Sequence, residues 1–375
     1  MRATQRDRKV RRAQEKGMLL LTVAVSMLLL VGFLGLSIDV GRAVVTKSET
    51  QTFADSAALA ATMELDGTMA GLDRARAQAQ ANVNRWMLET QTFSSIGVSF
   101  GTSPNGPWET NPLTGLGYAY SRVSVSAPLP LLFMPYVMGS SGGVVQGPTA
   151  MLIVGAPSMN VRAESAGGQV PVTVFREGLF PFSPYAHNST GPHYGLTPGQ
   201  RYTLRWAANP RVGQNTCPGD DSAEMIALND RGGGSERGYI ESTSANLIRQ
   251  TIVDDLQTVE LGIGGQVTMT GGAKQSMLDA IITRVRQDAD TSSQNYSTYA
   301  LARRGTGRRL VAAPINTGYP NYTVVQIGAF FLLAESEYNK GGNNPICAEY
   351  AGAWLKGAKQ KGASEAGAWE VRLVQ

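Results

Sequence analysis

An unbroken apolar run near the start of the chain is the strongest pattern in the sequence. Residues 18–38 include 21 consecutive positions without a charged side chain. At a rise of about 1.5 Å per residue this run forms a helix of roughly 31 Å, which matches a hydrocarbon core about 30 Å thick. The pattern therefore predicts one membrane-spanning helix over residues 18–38.

The helical pattern continues beyond the apolar run. Between residues 43 and 85 the chain contains no proline, and glycine occurs only at Gly67 and Gly71. Apolar or small residues recur there at helical spacing, at Val45, Phe53, Ala57, Ala60, Ala61 and Leu65. Small residues let another element approach the helix closely. The stripe is therefore expected to pack either on the chain's own globular part or on a helix of another protein. We expect a bend at residues 67–71 and a second helix over 72–89.

From about residue 93 the pattern becomes typical of strands and turns. Alternating or apolar runs predict strands at 96–100, 122–127, 151–154, 161–164, 170–175, 201–206, 309–315, 322–333 and 369–374, and helices at 245–255 and 274–288. The run at 324–333 is the expected central core strand. Three prolines within 127–135 exclude a second membrane-spanning helix there. The predicted fold class is α+β, with the N-terminal helix continuing outside the membrane into a β-rich region.

Charge changes the interpretation of the basic composition. The formal net charge is +4, but seven Lys and Arg residues against Asp7 and Glu15 place +5 within residues 1–16. About −1 is left for residues 17–375, which excludes a nucleic-acid-binding surface. A basic flank instead predicts a cytoplasmic N-terminus, with the bulk of the chain outside the cytoplasm. A cleaved signal peptide is the less favoured alternative, because its apolar segment is usually about 7–15 residues long.

Two cysteines, Cys217 and Cys347, lie on the extracytoplasmic side in this topology. An oxidising compartment favours a disulfide between them, and two separate buried thiols are the alternative. Their spacing does not indicate a zinc site or a thioredoxin-like motif.

The N-terminal quarter resembles the TadG-like proteins of the Tad, or Flp pilus, system. The resemblance covers residues 17–65 and rests on an apolar helix, a D-x-G-R boundary and an Ala-rich segment. Its motif positions are Gly17, Asp39, Gly41, Arg42, Asp55, Ala57, Ala58, Ala60 and Ala61. It implies a bacterial pilus-assembly protein of pilin-like architecture, with one long helix and a distal globular domain.

Two departures from related families limit what the resemblance implies. Pilin-like subunits that are cleaved after a glycine carry Glu five residues later, whereas Thr22 occupies that position after Gly17. We therefore expect an uncleaved chain. The metal loop of a von Willebrand A domain needs a D-x-S-x-S spacing that residues 288–293 lack, so that domain is not predicted.

The resemblance, together with the change in sequence pattern near residues 167–168, divides the chain into predicted domains. These are a basic cytoplasmic tail at 1–16, the TadG-like segment at 17–65, a helix with a first β-rich region at 66–166, and a distal α+β domain at 167–375.

For Asp39 and Arg42 we favour simple hydration at the membrane surface, with the arginine snorkelling. Pairing with a neighbouring subunit is the alternative. Asp55 fits either a solvated or a paired position.

Catalytic chemistry has weak support in the sequence. His187 and His193, with Asp220 or Asp221 as a third ligand, form a conceivable metal set, but local hydrogen bonding in a loop is the favoured interpretation. The G-x-S-x-G elbow that is typical of Ser/His/Asp hydrolases is absent from the sequence. We expect no enzyme activity, no cofactor, no bound metal and no small-molecule substrate.

The expected function is structural: anchoring, assembly or minor-subunit incorporation in a Tad/Flp-type pilus. Expected partners are the lipid bilayer and other Tad/Flp pilus or envelope proteins, at the bacterial inner membrane. A membrane-tethered envelope enzyme and a surface adhesin are the alternatives.

Overall fold

The protein is an α+β chain that begins with one long apolar helix and continues mainly in β-strands. This confirms the predicted α+β class, with one long apolar N-terminal helix and a β-rich remainder. The computed structural model describes residues 3–81, 93, 95–133, 158–232, 236–240, 244–257, 259–272, 274, 276–339 and 344–374. The predicted strand at 151–154 lies outside the described residues.

Helix α1 runs without a break over Ala3–Met63, so the apolar run and its predicted continuation are one element. Most of the large apolar side chains that the structure describes between Leu20 and Val45 are exposed, unlike those of a core helix. Within the described part of the chain, α1 is the helix whose length and composition would let it cross a membrane.

A short turn separates α1 from helix α2 (Met69–Ala81). Gly67, within this turn, adopts a left-handed conformation with φ of +81°, which costs little at glycine. The break lies at residues 64–68 and overlaps the predicted bend at 67–71 only in part, because α2 begins at Met69 and not at residue 72. The later part of the predicted second helix, residues 82–92, lies outside the described residues.

Short strands and helices make up the rest of the chain. The strands are β1 (Ser95–Gly101), β2 (Trp108–Glu109), β3 (Tyr120–Pro130), β4 (Ser158–Pro171), β5 (Val174–Phe175), β6 (Arg201–Arg205), β7 (Glu236–Ile240), β8 (Leu261–Gly262), β9 (Met269–Gly271), β10 (Leu310–Asn316), β11 (Val324–Leu332), β12 (Ile346–Gly352), β13 (Trp354–Leu355) and β14 (Ala368–Val374). The helices are α3 (Ala223–Arg231), α4 (Ala245–Asp254), α5 (Ser276–Arg286) and α6 (Tyr296–Ala302).

These strands form one six-stranded sheet, one four-stranded sheet and two short pairs. The orders are β13-β14-β4-β3-β1-β2 and β10-β11-β12-β6, with β5 pairing β8 and β7 pairing β9. Strand β4 continues through Gly167 and Gly168, and Gly168 lies opposite Arg372 of the antiparallel strand β14. The glycine pair at which the sequence predicts a domain boundary therefore lies inside a paired strand.

The chain divides into two compact units. The first contains residues 1–57, 80–98 and 123–165, and the second contains residues 58–79, 99–122 and 166–375. The domain boundaries inferred from the sequence stay predictions.

The core of the second unit is built on the four-stranded sheet. Strand β11 lies between β10 and β12, as predicted for the central strand, and Phe330 on it is fully buried. Ile248 of α4 and Ile281 of α5 belong to the same buried cluster as Phe330. Both helices were predicted from their amphipathic pattern, because one apolar face packs on the sheet.

Helix α3 lies in a stretch for which the sequence predicts neither a helix nor a strand. Ser222 begins it as an N-cap, its hydroxyl accepting a hydrogen bond from the backbone N–H of Met225 at 3.2 Å. The neighbouring glycines obscured this signal, although Ser222 is a favoured N-cap residue. Strand β12 was also missed, and it is buried along most of its length.

A disulfide joins Cys217 to Cys347, with a Cα–Cα distance of 5.8 Å and a sequence separation of 130 residues. Cys347 lies on β12, and Cys217 directly precedes the 3₁₀ turn Pro218–Asp220. The bridge therefore ties a loop of the second unit to its four-stranded sheet.

Candidate functional site

The carboxylate of Asp39 holds the end of strand β3 against helix α1. Its two oxygens accept the backbone N–H groups of Leu132 at 2.9 Å and Phe133 at 2.8 Å. Asp39 is 1% exposed. A carboxylate that accepts two backbone N–H bonds makes a strong, charge-assisted contact. The expected hydration of Asp39 is therefore wrong, because protein donors replace water at both oxygens.

Arg42 binds the same stretch of chain. Its guanidinium donates a hydrogen bond to the backbone carbonyl of Pro130 at 2.9 Å, so the expected snorkelling into water is also wrong. Asp39 and Arg42 together bind backbone groups of residues 130–133. We call these two side chains and this segment the Asp39 clasp.

Gly41, the third residue of the D-x-G-R motif, has a different environment. It is exposed, and a Cβ built on it would meet no atom within 4 Å. Packing among the described residues therefore does not require glycine at this position.

A polar row continues the attachment farther along α1. Lys47 donates a hydrogen bond to the backbone carbonyl of Arg162, and the Gln51 amide donates to that of Glu164 at 3.2 Å. The same amide contacts the Asp55 carboxylate at 2.8 Å, so Asp55 is a paired and not a freely solvated position.

In the second unit, the end of α1 packs closely on strand β4. A Cβ built on Gly167 would lie 2.5 Å from the Thr62 hydroxyl and 2.8 Å from the carbonyl oxygen of Ala58. The hydroxyls of Thr62 and Ser121 lie 2.7 Å apart, and each is within hydrogen-bond distance of the Ala58 carbonyl oxygen, at 2.8 Å and 3.0 Å. Only a glycine at position 167 permits this approach.

Gln169 completes the contact by capping the end of α1. Its amide donates to the carbonyl of Thr62, in the last turn of α1, at 3.0 Å and to the carbonyl of Leu65, in the turn that follows, at 2.7 Å. Its own amide oxygen accepts from the N–H of Ala363 at 2.8 Å. Gln169 is fully buried, so all three bonds are shielded from water.

These contacts bear on whether the small-residue stripe of α1 packs on the chain's own globular part or on another helix. Ala57, Ala58 and Ala61 are buried by the chain itself, and Ala60 is half-buried. The stripe is therefore used for intramolecular packing. Thr62, Gly167 and Gln169 were missed from the sequence, because nothing local connects residues more than 100 positions apart.

A network of ion pairs surrounds the turn after α1. Arg74 binds Glu64 at 3.1 Å and Asp66 at 2.5 Å, and Arg303 binds the same Glu64 carboxylate at 2.5 Å. The turn is thereby joined to helix α2 and to the C-terminal end of α6.

The two histidines have separate protein partners. His187 Nε2 lies 2.7 Å from Asp220, whose other oxygen accepts the N–H of Thr203, whereas His193 Nδ1 lies 3.1 Å from the hydroxyl of Tyr350. Asp221 accepts hydrogen bonds from Gly213 and Thr216 instead. Within the described ranges, no three His, Cys, Asp or Glu side chains gather as metal ligands.

The acidic segment at residues 288–293 is organised by hydrogen bonds within the fold. Burial alone would raise the pKa of Asp290, but hydrogen bonds from Ser293 and Ser292 together lower it below its usual value. The buried Arg309 donates to the carbonyls of Asp290 at 2.8 Å and Ser293 at 2.6 Å. The segment is therefore a structural loop closed on an arginine.

Comparison with known proteins identifies the helix that carries these contacts. A family model described as "Putative Flp pilus-assembly TadE/G-like" matches residues 17–64. Residues 17–64 thus match the Tad family, and we call them the Tad segment. This confirms the resemblance stated above and associates the chain with Flp pilus assembly. No curated protein and no solved structure matches the chain.

The Tad segment ends within the contacts just described. Its last residue, Glu64, pairs with Arg74 and Arg303, and its D-x-G-R motif supplies Asp39 and Arg42 to the Asp39 clasp. Residues of the Tad segment thus bind the following chain within each of the two units.

Proposed function

We propose that this protein is a single-pass, membrane-anchored structural component of a Tad/Flp-type pilus assembly system. Its N-terminus lies in the cytoplasm and the bulk of the chain lies outside the inner membrane. The observation that carries the proposal is the coincidence of the Tad segment with an apolar helix whose side chains are exposed. Exposed Leu, Val and Phe side chains on one helix are stabilised by lipid and not by water.

The basic flank supports the orientation. Seven Lys and Arg residues precede the apolar run, as expected for the cytoplasmic side of a membrane helix. The disulfide between Cys217 and Cys347 fits an oxidising compartment on the other side.

A pilin-like architecture is supported by the way α1 is used. Its first part is apolar and exposed, and its last turns pack on β4 through Ala58 and Thr62. Since Thr22 replaces the Glu of cleaved subunits, we favour an uncleaved anchor that stays in the membrane over a minor subunit that is released into the pilus.

Contacts with other Tad/Flp or envelope proteins would use the face of α1 that the chain leaves exposed. Ser48, Thr52 and Ser56 lie on that face, whereas Ala57 is buried. The proposal is structural and assigns no catalytic activity. The omission of a catalytic activity is supported by the two histidines, because His187 and His193 bind different partners and do not converge on one carboxylate.

The first experiment is gene deletion in a host that assembles Flp pili. We expect loss of pili, restored by the full chain but not by a chain that lacks residues 17–64. Shearing the cells then separates the two roles: an anchor stays in the membrane fraction, and a minor subunit leaves with the pili. Normal piliation after deletion would refute the proposal.

The second experiment maps the partner face by crosslinking in the native membrane. The native cysteines are disulfide-bonded, so a cysteine introduced at Thr52 or Ser56 is the reactive one. We expect these positions to capture another envelope subunit, whereas Ala57→Cys, a matched buried control, gives little product. Equal capture at all three positions, or none at Thr52 and Ser56, would contradict the use of this face.

A further inference from the structure

The chain that follows strand β3 is held against the membrane-spanning part of α1. After Pro130 the chain bends, and the N–H groups of Leu132 and Phe133 both donate to Asp39. We call residues 131–133 the β3 tip. The Asp39 clasp thus fixes the tip at a defined level of the helix.

That level lies within the apolar run. A Cβ built on Gly35 would lie 2.6 Å from the Cβ of Phe133, so the phenylalanine ring packs directly on the glycine. Gly35 precedes Asp39 by four residues, which is about 6 Å along the helix axis toward the membrane centre. Phe133 therefore lies beside the last turn of the 18–38 span and not beyond its end.

The tip is apolar and exposed. The exposed fractions are 49% for Leu132 and 38% for Phe133, and Leu34 and Ile38 on the neighbouring turns of α1 are exposed as well. Next to the tip is an open cavity of about 330 Å³, lined mainly by apolar side chains: Val40, Ala43, Val44, Leu131 and Met159. A continuous apolar surface of this kind indicates a contact with something other than water.

We propose that the β3 tip inserts into the extracytoplasmic leaflet of the bilayer beside α1 and forms a second membrane contact. The partner is the acyl-chain region of the lipids. The proposal rests on the proposed function, since it requires α1 to span the membrane. A single helix can rotate and tilt, so a second inserted element restricts how the first unit faces the membrane.

Lipid is favoured over a second copy of the chain by the depth of the tip. A side chain beside Gly35 lies at a level where every exposed helix residue already meets lipid, and a second copy would have to displace that lipid. Lys47, which lines the same cavity, lies about 13 Å beyond Ile38, on the water side of the apolar tip. A cation above an apolar insertion is the usual order at a membrane surface.

The test places an environment-sensitive fluorophore at Leu132→Cys in the full chain, reconstituted into phosphatidylcholine and phosphatidylglycerol vesicles. Both native cysteines are in the disulfide, so the introduced thiol is the labelled one. Val25→Cys, within the span, is the membrane control. Leu113→Cys, 95% exposed and outside α1, is the aqueous control.

We expect lipids with a nitroxide on the acyl chain to quench the probe at position 132 nearly as much as at position 25, and to leave position 113 unquenched. Quenching at 25 without quenching at 132 overturns the inference and leaves the anchor intact. Quenching at neither position overturns both. A probe at 132 that is shielded from water, unquenched by lipid and sensitive to protein dilution identifies a second copy and also overturns the inference.

Discussion

The carboxylate of Asp39 accepts a hydrogen bond from the backbone N–H of Phe133 at 2.8 Å, across 94 residues of sequence. Its other oxygen accepts the N–H of the preceding residue, Leu132. Both atoms of the charged group are therefore engaged. This motif aspartate thus joins helix α1 to the chain that follows β3.

Replacing Asp39 by Ala removes both acceptors and leaves two backbone N–H groups without a partner. The expected cost is about 1–3 kcal/mol, which corresponds to a loss of hydrogen-exchange protection of about 5-fold to 150-fold. The measurement is exchange at the amides of Leu132 and Phe133 in the full chain. Asp39→Asn keeps one acceptor oxygen, so its effect is expected to be smaller.

Asp55→Ala is the matched control, because Asp55 contacts the Gln51 side chain and not the β3 tip. Protection at Leu132 and Phe133 should be unaltered in this variant. If Asp39→Ala also left both amides protected, the clasp would not be what holds the tip.

The close contact of Gly167 with Thr62 leads to a second prediction. Gly167→Ala places a methyl group 2.5 Å from the Thr62 hydroxyl and 2.8 Å from a backbone oxygen. Overpacking of this kind costs about 1–3 kcal/mol, and we expect a lower midpoint of thermal unfolding in the detergent-solubilised full chain.

Gly41→Ala is the control for that substitution. Gly41 lies within α1 with nothing within 4 Å of a built Cβ, so alanine should stabilise the helix by about 0.5–1 kcal/mol. A Gly167→Ala variant as stable as wild type would contradict the packing argument. A stable Gly41→Ala variant that loses piliation would show that this motif glycine serves a partner.

The parts of the fold that were predictable are those with a local cause. The apolar run of residues 18–38 predicts a helix because its length and composition are visible in one window. The run at residues 324–333 predicts a core strand for the same reason. Both elements are present as helix α1 and strand β11.

The site was less predictable because its contacts are long-range. The motif could be read at Asp39 and Arg42, but no local pattern indicates that their partners are the backbone groups of residues 130–133. Hydration was the reasonable expectation for a charged residue at a membrane boundary. Gly167 likewise looked like a linker residue, since the sequence does not show the helix that lies against it.

The disulfide leads to a third prediction. Cys217 and Cys347 are 130 residues apart, and a crosslink over so long a loop contributes about 4–5 kcal/mol in the chain-entropy model. Reduction is therefore expected to lower the free energy of urea unfolding by about 2–5 kcal/mol. A Cys217→Ser, Cys347→Ser double variant should have the stability of the reduced chain and show no response to reductant. A response of that variant would locate the effect elsewhere.

Four tyrosines of the second unit lead to a pH-dependent prediction. Burial is the main cause that raises the pKa of Tyr296, Tyr299, Tyr338 and Tyr350 above the ordinary value of 10.0. The hydroxyl of Tyr338 accepts the N–H of Leu333 and donates to the carbonyl of Cys347, so it is held in its neutral form.

A raised pKa in the folded state means that the folded chain keeps protons that the unfolded chain releases above pH 10. The stability from these groups is fully present below pH 10 and is lost as pH rises toward the folded-state pKa. We expect the free energy of unfolding to be constant for these groups from pH 8 to 9.5 and to fall from pH 10 upward. Each group contributes at most about 1.4 kcal/mol per pH unit to the slope.

Tyr338→Phe separates titration from packing. Losing the hydroxyl removes both of its hydrogen bonds, so the variant should be less stable at pH 8. Because it has one fewer buried group to ionise, its stability should also fall less steeply above pH 10 than that of the wild type. Urea unfolding at pH 8.0 and at intervals above pH 10 measures both effects, and an unchanged slope in the variant would show that Tyr338 does not contribute to alkaline unfolding.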